Sequence, residues 1–138
     1  MSNNEQEFIS NLVRNPSESL SLELNDWIDP DASEGIAKIV KAALAMRNNN
    51  GGYLLIGFNN SDGSPNFERA PEDVVTTFHV DKIQGYITKY SSESFEIKIH
   101  LPVIQESQFL VLEIPKGIKT PVATKSGLPF EGLSLIHI

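Results

Sequence analysis

The stretch NNNGGYLLIGFNNSDG, residues 48–63, constrains the fold more than any other part of the chain. Upstream of it, Ile36, Ile39, Val40, Ala43 and Leu44 recur at helical spacing, with Ser33 as the expected N-cap and an end near Arg47. The order is therefore helix, glycines, apolar strand. A phosphate-cradling loop of the nucleotide-binding kind runs the other way, strand, glycines, helix, so that free amides and the positive end of the helix face the anion. Here Gly51 and Gly52 stand at the negative end of a helix, and no Gly-Lys-Ser/Thr is present. Their expected role is structural: to cap the helix and turn the chain into a buried central strand, YLLIGF, which carries Gly57 near its end.

The flanking segments carry equally simple patterns. From Glu5 to Asn15, Phe8, Ile9, Leu12 and Val13 mark a short amphipathic helix closed by Pro16. SLSLELN alternates, with Leu20, Leu22 and Leu24 on one face and Ser19, Ser21, Glu23 and Asn25 on the other, as in a half-buried strand. NNSDGSPN is a tight turn. From Pro71 the pattern is helical, with Val74, Val75 and Phe78 on one face, and a second segment carries Ile83 and Ile87. SFEIKIHLPV and SQFLVLEIP read as strands, and a proline and glycine divide them from TPVATKSGLPF. No repeat, low-complexity tract or interior domain boundary stands out. The expected class is α+β, a mixed sheet flanked by helices.

The chain has 138 residues and 40% hydrophobic content, enough for one core and one site. It contains no cysteine, which excludes disulfides, thiolate zinc sites, iron–sulfur clusters and a cysteine nucleophile. The polar start MSNNEQEFISNLVRN lacks the pattern of a secretory signal, and no apolar run approaches the ~20 residues of a membrane helix. A cytoplasmic protein without a membrane partner is expected, so the Asn59-Asn60-Ser61 glycosylation match carries no meaning. The net charge of −7 opposes long-range attraction to phosphate backbones, and any nucleic-acid contact must come from local arrangement.

The last six residues, LSLIHI, match one reading frame of the transposase end sequence in common sequencing-library adapters. The expectation is that residues 133–138 are adapter-derived, that the natural protein continues beyond about Gly132, and that His137 has no functional weight.

ESLSLELNDW followed by IAKIVKAALAMRNNNGGYLLIGFNNSDG resembles the Schlafen AlbA-type family. That family's signature is a glutamate, a leucine-glutamate-apolar-lysine strand, and a helix ending in alanine and asparagine before Gly-Gly. An apolar strand with Ile-Gly and an acidic, glycine-bearing turn then follow. FLVLEIPKGIKTPVATKSG is similar to the family's later strand, basic turn and proline. The resemblance covers Glu18 to Gly127, inside a domain placed at 18–132 with residues 1–17 as an N-terminal helical segment.

The resemblance implies a nucleic-acid-binding domain, with DNA or RNA as partner, within a transcriptional regulator or a larger helicase-like protein of bacterial or phage type. Some Schlafen relatives cleave RNA with a carboxylate-held divalent metal. Carried over, the carboxylates are Glu18, Glu23 and Asp62, which would hold magnesium or manganese in a metal-dependent endoribonuclease. Two departures weigh against catalysis: Asn25 stands where the family has lysine, and the turn FNNSDG has one carboxylate. Glu18 and Glu23 are also an odd number of positions apart, so one continuous strand would point them to opposite faces.

Phosphate contacts are expected from Lys38, Lys41, Arg47, Lys116, Lys119 and Lys125, each also readable as a solvated surface charge. Trp27 and Tyr53 can stack on bases or serve as core edges. His79 and His100 have no companion at ligand spacing, so no zinc site is expected. An acidic protein-interaction module is the third reading, and homo-oligomerisation is left open.

Overall fold

The computed structural model describes residues 3–14, 16 and 21–117. Strand β1 (Leu22–Asn25) is followed by helix α2 (Ser33–Asn48), which crosses over to strand β2 (Gly52–Ile56) lying parallel to β1. Helix α1 (Asn3–Arg14) precedes them; α3 (Val74–Thr77) and α4 (Val80–Tyr90) come next. Strand β3 (Lys98–His100), a two-residue-per-arm hairpin of β4 (Val103–Ile104) and β5 (Ser107–Gln108), and strand β6 (Leu110–Ile114) complete the described chain. The main sheet has the order β1-β2-β6-β3, with β6 antiparallel to both of its neighbours. It is a mixed sheet flanked by helices, as the sequence pattern predicts.

Alternation along the strands sorts two cores onto the two faces. Leu54 and Ile56 of β2 and Leu110, Leu112 and Ile114 of β6 pack with Ile39, Val40, Ala43 and Leu44 of α2 and with Ile83 and Ile87 of α4. Leu22, Leu24, Leu55 and Val111 face the other way and meet Ile9 and Val13 of α1. Both central strands are thus covered on both sides, which is why YLLIGF and FLVLEI are apolar almost throughout.

The glycine pair ends α2. Asn50 and Gly51 take φ of 74° and 77°, and the Gly51 amide donates to Met46 O at 2.7 Å. A Cβ on Gly51 would lie 2.6 Å from Ile114 O, so the bare glycine also lets the exit of β6 pass close to the end of the helix. A Cβ on Gly52 would collide with Ser21 O, at the start of β1.

Three local expectations are corrected. Ala32, not Ser33, is the N-cap of α2: its backbone is extended, its carbonyl accepts from the Ile36 amide at 2.9 Å, and no side chain caps the turn. Val74 of α3 and Phe78, its C-cap, are buried while Val75 is 43% exposed, because a single turn buries only one side. SFEIKIHLPV contributes only short strand pieces, although Phe95 and Ile97 are still buried.

Candidate functional site

Glu18 lies outside the described residues. Glu23 sits on edge strand β1, half-buried, and accepts a 3.1 Å hydrogen bond from Asn25 Nδ2. Its register partner is Leu54, so its side chain projects on the α2 face of the sheet. Asp62 belongs to the exposed turn after β2, and its Oδ1 accepts from the Ser64 amide at 3.0 Å and from Ser64 Oγ at 2.8 Å. Those two bonds hold its carboxyl below the usual aspartate range. The neighbouring Gly63 rests near Leu24, whose side chain is on the α1 face. Among the described residues neither Glu23 nor Asp62 belongs to a cluster of ligand atoms. The described pair Glu23 and Asp62 does not by itself form a magnesium or manganese centre, and Glu18, the third expected carboxylate, lies outside the described residues.

The expected cations divide. Lys38 is exposed and Lys41 half-buried, three residues apart on the solvent side of α2. Arg47 is buried, 7% exposed, and is corrected as a phosphate contact. Its Nη1 donates to Pro115 O and Lys116 O at 3.2 and 2.8 Å, its Nη2 meets Glu93 Oε2 at 3.2 Å, and its guanidinium lies 4.6 Å from the Phe95 ring centre. A side chain so occupied fastens the end of α2 to the segment after β6 instead of facing solvent. Lys116 is exposed beside that junction, while Lys119 and Lys125 lie outside the described residues.

Of the two aromatic candidates, Trp27 is a packing residue. Its ring stacks on Phe109 with centroids 5.5 Å apart, and its Nε1 donates to Asn66 O at 2.8 Å. Gly57, at φ 108°, passes directly beneath it: a Cβ there would be 2.6 Å from Trp27 Cζ2 and 2.8 Å from Phe109 Cδ2.

A polar cluster that the sequence did not disclose lies on the α1 face. Tyr53, Glu113 and Lys98 are register partners across β2, β6 and β3. His100, two residues from Lys98 on the same face, brings Nε2 to 2.8 Å from Glu113 Oε1. Glu5 descends from α1 and meets Lys98 Nζ at 3.4 Å. One ligand atom each from Glu5, His100 and Glu113 lie within 4.8 Å of one another. Partial burial, reinforced by the charges of Glu113 and Glu5, raises the Tyr53 pKa. A groove of about 650 Å³, lined by Glu5, Lys98 and His100 among others, opens alongside between α1 and β3.

His100 has no companion at ligand spacing in the sequence because its neighbours in space are remote along the chain: Glu113 is thirteen residues away and Glu5 belongs to the first helix. The alternation of Lys98 and His100, and Glu113 set within an apolar strand, were the available signal. Only the β3–β6 register turns them into neighbours.

These features define an α+β domain whose polar chemistry gathers on the α1 face of a mixed sheet. The chain belongs to the Schlafen, AlbA_2 family, a nucleic-acid-related domain family whose profile matches residues 18–132. Among solved structures it is similar to the DIP2311 protein from Corynebacterium diphtheriae, with a TM-score of 0.60 and 12% identity over 89% of this chain and 24% of that one. It is also similar to the N-terminal domain of a Nitrosomonas europaea protein named as ATP-dependent DNA helicase RecG-related. There the TM-score is 0.50 and the identity 20%, over 91% of this chain and 84% of that one. At such identities the likeness is one of fold. The chain spans about a quarter of the length of the DIP2311 protein. No curated protein matches it. Among the described residues, no helix is long and apolar enough to cross a membrane.

Proposed function

We propose that this chain is a nucleic-acid-binding domain of a longer regulatory or helicase-like protein, and that it contacts phosphates with the solvent side of α2 and the segment leaving β6. The observation that carries this reading is the junction at Arg47. By holding the carbonyls of Pro115 and Lys116 it keeps Lys116 beside the last turn of the helix that presents Lys38 and Lys41. Lys116 is thereby held at the end of the same helix that carries Lys38 and Lys41, in a chain whose net charge is −7. Local concentration of this kind is what phosphate binding needs when the overall field is repulsive. In sequence, Lys119 and Lys125 follow Lys116 with no acidic residue between them.

The test is fluorescence anisotropy of labelled single- and double-stranded DNA and RNA across a salt series. Binding should weaken steeply with salt, and the Lys38→Ala/Lys41→Ala pair should flatten the slope on duplex DNA by about 1.8, at ~0.9 per phosphate contact. Absence of binding to all four nucleic acids at low salt would remove this reading and leave the protein-interaction module.

A further inference from the structure

We propose that Glu5, His100 and Glu113 bind a divalent transition-metal cation, of the zinc or manganese class, at the edge of the groove between α1 and β3. The three residues come from one helix and two strands, yet each offers a ligand atom within 4.8 Å of the others. His100 Nε2 and Glu113 Oε1 are hydrogen-bonded at 2.8 Å, and a separation of about 3.4 Å would place each ~2.1 Å from one tetrahedral ion, so only a small opening of the pair is needed. Glu5, on α1, completes the group with a carboxylate oxygen inside the same 4.8 Å.

The donor set selects the metal. One imidazole and two carboxylates suit zinc, manganese or iron, whereas magnesium and calcium prefer oxygen alone. The side chains of His100, Glu5 and Glu113 are 15%, 28% and 29% exposed, so the charges are only partly screened. Of the two carboxylates, Glu5 pairs at 3.4 Å with the ammonium of Lys98, which is 63% exposed. Lys98 holds the place of a cation and can swing into solvent when a metal arrives. His100 then turns its Nε2 lone pair to the ion with the ring proton carried on Nδ1. Three protein ligands leave coordination positions toward the groove, where water or an anionic oxygen completes the shell. This site is separate from the Glu23 and Asp62 positions and does not depend on the proposed nucleic-acid contact.

The experiment is calorimetric titration of the whole chain with zinc, manganese and magnesium chlorides in a buffer that does not chelate. One saturable zinc site is expected, with magnesium much weaker. His100→Ala and Glu113→Gln should each weaken zinc binding by about tenfold or more, an effect of the size known even for outer-shell partners of metal ligands. Lys98→Met should tighten it by up to about fivefold, the equivalent of an exposed ion pair removed. Glu23→Gln should leave it unchanged. Should His100→Ala fail to fold by circular dichroism, Glu5→Gln, on the outer helix, makes the same test. No saturable zinc binding, or binding equally tight in the Glu5, His100 and Glu113 variants, would overturn the proposal.

Discussion

Arg47 Nη1 donates to Lys116 O at 2.8 Å, so that a buried guanidinium from the last turn of α2 holds the backbone where it leaves β6. Removing it strands two carbonyls and leaves Glu93, whose side chain is 27% exposed, without its 3.2 Å partner. Arg47→Met, which keeps the apolar stem, is expected to cost about 2–3 kcal/mol in urea unfolding, in the range for breaking a largely buried charged contact. An unchanged midpoint would mean that the junction contributes nothing to the fold.

Gly57→Ala places a methyl group into the Trp27 and Phe109 rings at a φ of 108° that side-chain-bearing residues rarely adopt. The Phe109 ring has no room to retreat, since it is fully buried and also packs on Phe58. A loss of about 2–4 kcal/mol and an altered tryptophan emission are expected, from backbone strain combined with overpacking. Native-like emission and stability would show that the stack is looser than the distances imply.

Tyr53 should ionise later than an ordinary tyrosine, chiefly because burial disfavours the phenolate and secondarily because Glu113 and Glu5 repel it. Its contribution to stability is complete below the unfolded tyrosine pKa of about 10 and declines as the pH rises from there toward the folded value. Near-ultraviolet titration should show late-ionising tyrosine absorbance that shrinks in Tyr53→Phe and shifts downward in Glu113→Gln. Tyr86, raised by burial and by Asp31, accounts for late absorbance that persists in Tyr53→Phe. A curve unaffected by Glu113→Gln would remove that carboxylate's influence.

At the acid end, Asp62 and Asp73 have depressed pKa values, Asp62 through Ser64 and Asp73 through the Thr76 hydroxyl and amide at the start of α3. A carboxylate held low stabilises the fold above its unfolded pKa, and that stabilisation disappears as the pH falls through the folded value. The Asp62→Asn/Asp73→Asn pair should therefore lie closer to the wild type in denaturant midpoint at pH 3 than at pH 7. A constant gap between the two proteins would show that neither carboxylate is linked to folding.

What could be read from the chain was whatever depends on neighbours in sequence. The stripe of Ile39, Val40, Ala43 and Leu44, the alternation of Leu22 and Leu24, and the glycines after α2 each follow from a local period or a local backbone need, and each holds in the structure. They suffice for a mixed sheet with helices and for a family resemblance. Arg47 was misjudged because a terminal basic residue on a helix looks solvent-facing until Glu93, Phe95 and Pro115 surround it. His100 was passed over because its partners are set by strand pairing, which no local pattern states. Sequence alone determined the main helices and the central strands and their order, since helical and strand periods are properties of adjacent residues. Only the tertiary structure decided which charges are buried, which face solvent and which converge, because contact across a sheet depends on register between segments that share no local signal.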